Sequence, residues 1–256
     1  GIRKDVVVAN TSLLNTDWYV RQMIRRPVFE YDMDSGPAIY RGKQWTKPSG
    51  PPISLTIAQA DALPPYVEIR EPQIFRKGTL VATVQPQVLD KASVLVLRMI
   101  ADAFPERPIY LARTSGSYGR SLGLDPYLMQ QGLARKLLPA IPTPDRDTVM
   151  LQGEGWFDLP RSRALWADVF KAPESIIERG NWVDRASVGI PYLYISTAAN
   201  LYEAEMLAGN RAVAEQVMVT AEGIARATGL GDLFAQQAPA PAAVPSFSPS
   251  VVSCSG

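Results

Sequence analysis

The chain has no histidine, and its single cysteine is Cys254. A Ser-His-Asp relay needs an imidazole that takes the serine proton near neutral pH and returns it, so a standard triad is excluded. Most zinc, haem, blue-copper and iron–sulfur sites go with it, while oxygen-ligated magnesium or calcium stays open. No internal disulfide can form, so cysteine says nothing about compartment. Charge of one sign is also missing: 26 basic against 25 acidic residues leave a net charge of +1, with no global field to draw nucleic acid or an anionic membrane. Long apolar runs are absent too. The best candidate, "ASVLVLRMIADAF", is interrupted by charge and falls short of the ~20 residues that cross a bilayer. Neither G-x-x-x-x-G-K-[ST] nor a G-x-G-x-x-G after a strand occurs, so nucleotide binding has no support. No signal peptide is visible, and because the chain opens on Gly1 rather than Met, residues upstream are expected.

What is present is a chain of 28.0 kDa with 46% hydrophobic residues, enough to bury a substantial core, at a length that suits one large domain or two modest ones. The β-branched run Lys4–Asn10 predicts a strand. Leu13, Leu14, Trp18 and Met23 then fall at near-helical spacing, with Thr11, Ser12 or Asn15 as N-cap. An irregular connection follows, carrying Pro, Gly and Asp without a period. Thr56 with Gln59 predicts a capping box and a short helix ending before Pro64-Pro65. The runs flanking Arg76-Lys77-Gly78 predict a hairpin. Asp90 is the N-cap of an amphipathic helix, and "RPIYLA" reads as a strand of the buried type. The segment Gly132–Ile141 reads as a strand and "PTPDRDT" as a boundary. Beyond it Asp158 caps a helix with Pro160 in its first turn. Pro191 starts a long helix closing at Gly209, and Asn210 caps another closing at Gly229. The last two form an αα-hairpin with tetratricopeptide-like spacing at Leu201, Gly209, Ala214 and Ala221.

The pattern predicts a mixed α/β (α+β) domain over 1–141, a helical domain with the hairpin over 142–235, and a disordered Pro/Ala/Ser tail over 236–256.

Four local features invite functional readings. Gly119-Arg120-Ser121-Leu122-Gly123 is a literal G-x-S-x-G, the nucleophile-elbow pattern. A Ser-Lys variant stays open in principle. A polar spacer, "RTSGSYG", separates Ser121 from the preceding strand, however, and a surface loop is the better reading, with Ser121→Ala leaving function intact. "TSGSYG" near Arg113 and Arg120 could form an anion nest, against the simpler reading of a polar loop. Asp32 and Asp34 resemble a metal-binding D-x-D, against a turn in which Asp bonds its own backbone. Trp18-Tyr19 could stack on a sugar or base, against packing in the core.

Two longer motifs carry a family resemblance. The first is Arg3, Asp5, Val6, Val8, Asn10, Ser12 to Thr16, Trp18 and Tyr19. The second combines Pro108 to Tyr110 with Leu122 to Leu124, Pro126 to Leu128 and Gly132-Leu133. Together they resemble the C-terminal, non-membrane portion of bacterial multi-pass membrane proteins of unknown function, related to the eukaryotic endoplasmic-reticulum enzyme that O-mannosylates plexin-type receptor domains. The resemblance implies a glycosyltransferase of the C superfamily that moves a sugar from a lipid-phosphate donor to a protein hydroxyl on the extracytoplasmic side. The catalytic acid of such enzymes lies among membrane helices that these 256 residues do not include. This chain alone is therefore expected to be inactive, with no catalytic residue, cofactor or metal assigned. Its implied role is acceptor recognition or packing against the membrane part, with a candidate recognition surface containing Asn15, Asp17, Trp18, Tyr19, Asp125 and Tyr127. The implied partners are an upstream membrane region of the same protein and a protein acceptor, not nucleic acid. The alternative is a stand-alone interaction module that binds a protein through the hairpin.

Overall fold

The structure is a computed structural model and describes residues 5–40, 42–48 and 50–232; the tail expected over 236–256 lies outside them. The fold is a mixed α/β arrangement with a C-terminal helical hairpin, as the sequence predicts.

The first departure is at the start. Residues 5–10 join no strand. Instead the Tyr19 hydroxyl accepts from Asn10 N at 2.8 Å and donates to Val8 O at 3.3 Å. A β-branched run favours extended backbone, but a strand needs a paired ladder, and here one phenol takes the ladder's place. The helix that follows is α1 (Asp17–Arg25), preceded by a tight turn over Leu13–Asn15. Its N-cap position is Thr16, whose hydroxyl turns back to Leu13 O and makes no capping bond. None of the three residues expected as caps serves. Val20 and Met23 bury one face of α1 beside Leu14.

After the irregular connection comes α2 (Ile57–Asp61), opened by the expected capping box: Gln59 N donates to Thr56 Oγ1 and Thr56 N to Gln59 Oε1. Strands β1 (Tyr66–Ile69), β2 (Gln73–Lys77), β3 (Leu80–Val84) and β4 (Gln87–Asp90) follow. The expected hairpin is β2–β3, turned at Gly78 with φ +59°. The same hairpin continues outward as β1–β4, its register displaced by one residue. Pro72 and Pro86, which have no N–H to donate, sit where the two ladders part. Helix α3 (Lys91–Ala103) is capped by Asp90, whose Oδ1 accepts from Ser93 N at 2.8 Å. It lays Leu95, Val96 and Ile100 into the first core with Leu14, Val20, Leu80 and Leu89.

Strands β5 (Tyr110–Ala112), β6 (Leu128–Gln131), β7 (Ala134–Leu137), β8 (Thr148–Leu151) and β9 (Gly155–Asp158) form a five-stranded sheet in the order β5-β7-β6-β9-β8. "RPIYLA" supplies an edge strand, not a buried one, with Tyr110 47% exposed. The short helix α4 (Tyr118–Ser121) links β5 to β6. β8 and β9 lie beyond residue 142 yet join the sheet begun before it, β9 running parallel to β6. Side chains nevertheless gather in separate cores, one from residues up to Leu137 and two from Leu151 onward.

Helix α5 (Leu159–Ala164) takes its cap from Asp158, whose Oδ1 accepts from Arg161 N, with Pro160 in the first turn. A π-helical turn over Leu165–Val169 leads to α6 (Ala172–Arg179). Helices α7 (Gly189–Leu207) and α8 (Arg211–Thr228) make the hairpin, closed at Gly209 with φ +79°. Ala198, Ala204, Ala214 and Ala221 are all buried, which lets the two backbones approach. Asn210 occupies the N-cap position but makes no cap; its Nδ2 donates to Glu205 Oε2 at 2.8 Å. Glu205 is fully buried, and both its oxygens accept from Arg163 of α5 at 2.6 Å. Asn200 Nδ2 donates to Gln130 Oε1 of β6 at 3.0 Å, so polar bonds tie the hairpin to the sheet.

Candidate functional site

An open cleft of about 290 Å³ lies where β1, β4, α3 and α4 meet, lined by Tyr66, Val88, Asp90, Ser93, Ser117, Tyr118 and Ser121. Strand register puts Tyr66 directly opposite Asp90. Asp90 ends β4 and caps α3, and it is heavily bonded: Ser93 N and Oγ donate to Oδ1, and Asn15 Nδ2 donates to Oδ2 at 3.0 Å. Burial pushes its carboxyl up, but the bonds from Ser93 and Asn15 win and hold it below the ordinary aspartate range. Tyr118 is pushed the other way. Burial and then the nearby Asp90 charge raise its phenol above the usual tyrosine range, against bonds with Thr11 and Ser93.

The six residues expected to form a recognition surface divide between structural and exposed roles. Asn15 also accepts from Ala92 N at 2.9 Å, so its amide holds the α3 N-terminus from both sides. Asp17 pairs at 2.8 Å with Lys91, whose side chain is nearly buried, and that hydrogen bond and charge hold the Asp17 carboxyl low. Trp18 is 54% exposed and meets Tyr19 edge-on, with ring centroids 5.6 Å apart. Core packing of the Trp-Tyr pair therefore describes Tyr19 but not Trp18. Tyr127 is buried, its hydroxyl donating to Val81 O at 2.9 Å and accepting from Val81 N at 3.2 Å. Asp125 lies 3.5 Å from Arg135 and 3.8 Å from Arg120. Of the six, Asn15 alone bonds a residue lining the cleft.

The other sequence features also find places. Arg113 pairs with Glu154 at 3.2 Å and Arg120 faces Asp125, so both cations of the expected anion nest are turned to carboxylates. Asp34 N donates to Asp32 Oδ1 at 3.0 Å, the turn reading of that pair. No cluster of metal-ligating side chains occurs among the described residues. Ser121 ends α4 and does not stand on a strand-to-helix elbow. The flanking glycines are fixed by packing: a β-carbon on Gly119 would collide with Asp125 Oδ1 and Leu128, and one on Gly123 with the backbone of Thr83.

Sequence reasoning missed Tyr66, Val88, Ser93, Ser117 and Tyr118 as neighbours. One signal was available: Ser117 and Ser121 are four residues apart, the spacing of one helix face.

Residues 53–154 match the family model described as TMEM260-associated domain 2. No curated protein and no solved structure matches the chain. All seven residues lining the cleft fall within the segment similar to TMEM260-associated domain 2, whereas α7 and α8 fall outside it. No helix among the described residues is long and apolar enough to cross a membrane.

Proposed function

We propose that this chain is the accessory, acceptor-recognising region of a membrane-embedded glycosyltransferase-like protein that O-mannosylates or similarly glycosylates protein hydroxyls. The observation that supports it is the similarity of residues 53–154 to TMEM260-associated domain 2, a segment holding the cleft and most of the first core. The composition agrees with an accessory role. With no histidine to activate Ser121, the cleft holds hydroxyls and one bonded carboxylate but no base poised near neutral pH. In this reading the catalytic acid belongs to a preceding membrane region, and the chain lies on the extracytoplasmic side of a bacterial membrane. The test is to assay transfer from a polyprenyl-phosphate sugar to protein by the chain alone and by the chain joined to its upstream coding sequence. Transfer by the joined form only is expected. Turnover by the chain alone, or an upstream frame that encodes no membrane helices, overturns the reading.

A second reading, a protein-binding module built on the hairpin, draws on exposed apolar residues there, Leu207 and Val219 each being 63% exposed. Under it, Leu207→Glu and Val219→Glu abolish partner capture while Tyr66→Ala does not.

A further inference from the structure

The cleft between β1, β4, α3 and α4 has a volume near the lower end of those that hold small ligands. Its lining decides what class of ligand fits. Asp90 carries the only carboxylate among the lining residues, and no lysine or arginine accompanies it. A phosphate, sulfate or carboxylate entering there meets a like charge with no cation to offset it. Asp90 alone does not make a cation site either: Asn15 Nδ2, Ser93 N and Ser93 Oγ already occupy acceptor positions on its oxygens, and no second carboxylate lines the cleft.

Uncharged groups remain. Ser117 makes no capping bond, and Ser121 Oγ reaches only Tyr118 O, at a long 3.4 Å. Both hydroxyls are therefore free to exchange water for a ligand's donors and acceptors. Tyr66 stands opposite Asp90 with 67% of its surface exposed, and Val88, its diagonal neighbour on the same face of the ladder, is 63% exposed. An aromatic face and an aliphatic side chain thus border a set of uncommitted hydroxyls. A pyranose has the matching form, with an apolar C–H face and a rim of hydroxyl groups.

We propose that this cleft binds a neutral saccharide, the Tyr66 ring packing on the C–H face of a pyranose while Ser117 and Ser121 bond its hydroxyls. Val88 extends the apolar wall, and Asp90 holds the α3 end in place and turns anions away. Ser121 thereby gains a binding role in place of the nucleophilic one its motif suggested. The site stands on its own geometry and survives if the membrane-protein reading fails.

The test titrates the full chain, followed by ¹H–¹⁵N spectra, with methyl α-mannopyranoside, with methyl α-glucopyranoside and separately with inorganic phosphate. At millimolar concentration at least one glycoside is expected to shift the amides of Tyr66, Ser93, Ser117, Tyr118 and Ser121, while phosphate leaves them in place. Tyr66→Ala, at an exposed position, is expected to weaken binding about tenfold; the double variant Ser117→Ala/Ser121→Ala is expected to do the same, and Glu222→Ala at an exposed position of α8 to have no effect. The proposal is overturned if neither glycoside moves those amides, if phosphate moves them as strongly, or if folded Tyr66→Ala binds like the wild type.

Discussion

Gly123→Ala should be among the most damaging single-methyl additions in this protein. Gly123 has φ +70°, and a β-carbon there would overlap Thr83 O, with Thr83 N and C each 3.0 Å away. These are backbone atoms of β3, which is held by its pairing with β2 and cannot swing aside as a flexible side chain would. Left-handed backbone costs alanine about 1 kcal/mol relative to glycine. Forcing a methyl into a filled space costs about 1–3 kcal/mol more. The stiffer unfolded chain offsets about 0.4–1 kcal/mol of that, leaving a net loss of about 1–3.5 kcal/mol. Gly153→Ala separates these contributions, because Gly153 has φ +81° but no atom within 4 Å of the added carbon. It shares the backbone and unfolded-state effects and lacks the collision. Urea unfolding of both variants, compared through midpoints at a common slope, reads the difference. Gly123→Ala is expected to be the less stable by about 1–3 kcal/mol. Equal midpoints would refute the claim that contact with β3 fixes this glycine.

Tyr127→Phe removes the hydroxyl that serves both Val81 N–H and Val81 C=O, and should cost about 2 kcal/mol in urea unfolding; a cost below about 0.5 kcal/mol, the range of surface substitutions, refutes that role for the hydroxyl. Glu205→Ala leaves Arg163 and Asn210 without their shared acceptor. Because the Arg163 side chain is 41% exposed and can reach water, the loss should lie near the lower end of buried pairs, about 3 kcal/mol, and lower the melting temperature by about 6–12 °C; an unchanged melting temperature would contradict it. The Asp90 carboxyl is depressed in the folded chain, so its charge stabilises fully above about pH 4 and that contribution is lost as pH falls through the depressed value. The stability gap between wild type and Asp90→Asn should therefore narrow from pH 7 to pH 3, and a gap that stays constant would refute the linkage.

The parts of the fold legible in the sequence are those whose causes act within a few residues. Thr56 with Gln59, Asp90 with Ser93, and Asp158 with Arg161 each complete a cap inside one helical turn. Gly78 and Gly209 turn the chain where no side chain opposes it. Distant pairings were invisible. β1 meets β4 across the whole β2–β3 hairpin, and β9 meets β6 only after β7 and β8 have passed. β8 and β9 were also hidden by the Pro- and Asp-rich segment before them, which reads as a boundary. The candidate site shows the same division. Asn15 stood out within a motif, but its amide bonds partners 75 and 77 positions away, and only the folded chain shows that it supports α3. Tyr66 and Val88 carried no motif at all. Their importance comes from the register that sets them beside Asp90, a relation that no local window contains.

The parallel pairing of β9 with β6 has a practical consequence for anyone cutting this protein into pieces. The segment similar to TMEM260-associated domain 2 ends at residue 154, after β8 but before β9. A fragment with those limits keeps β8 yet loses the one strand β8 pairs with, and it strips β6 of its neighbour on that side. Two bare strand edges would face solvent, an invitation to self-association. A fragment that ends after Asp158 keeps the ladder whole, so four residues decide whether those two edges are paired.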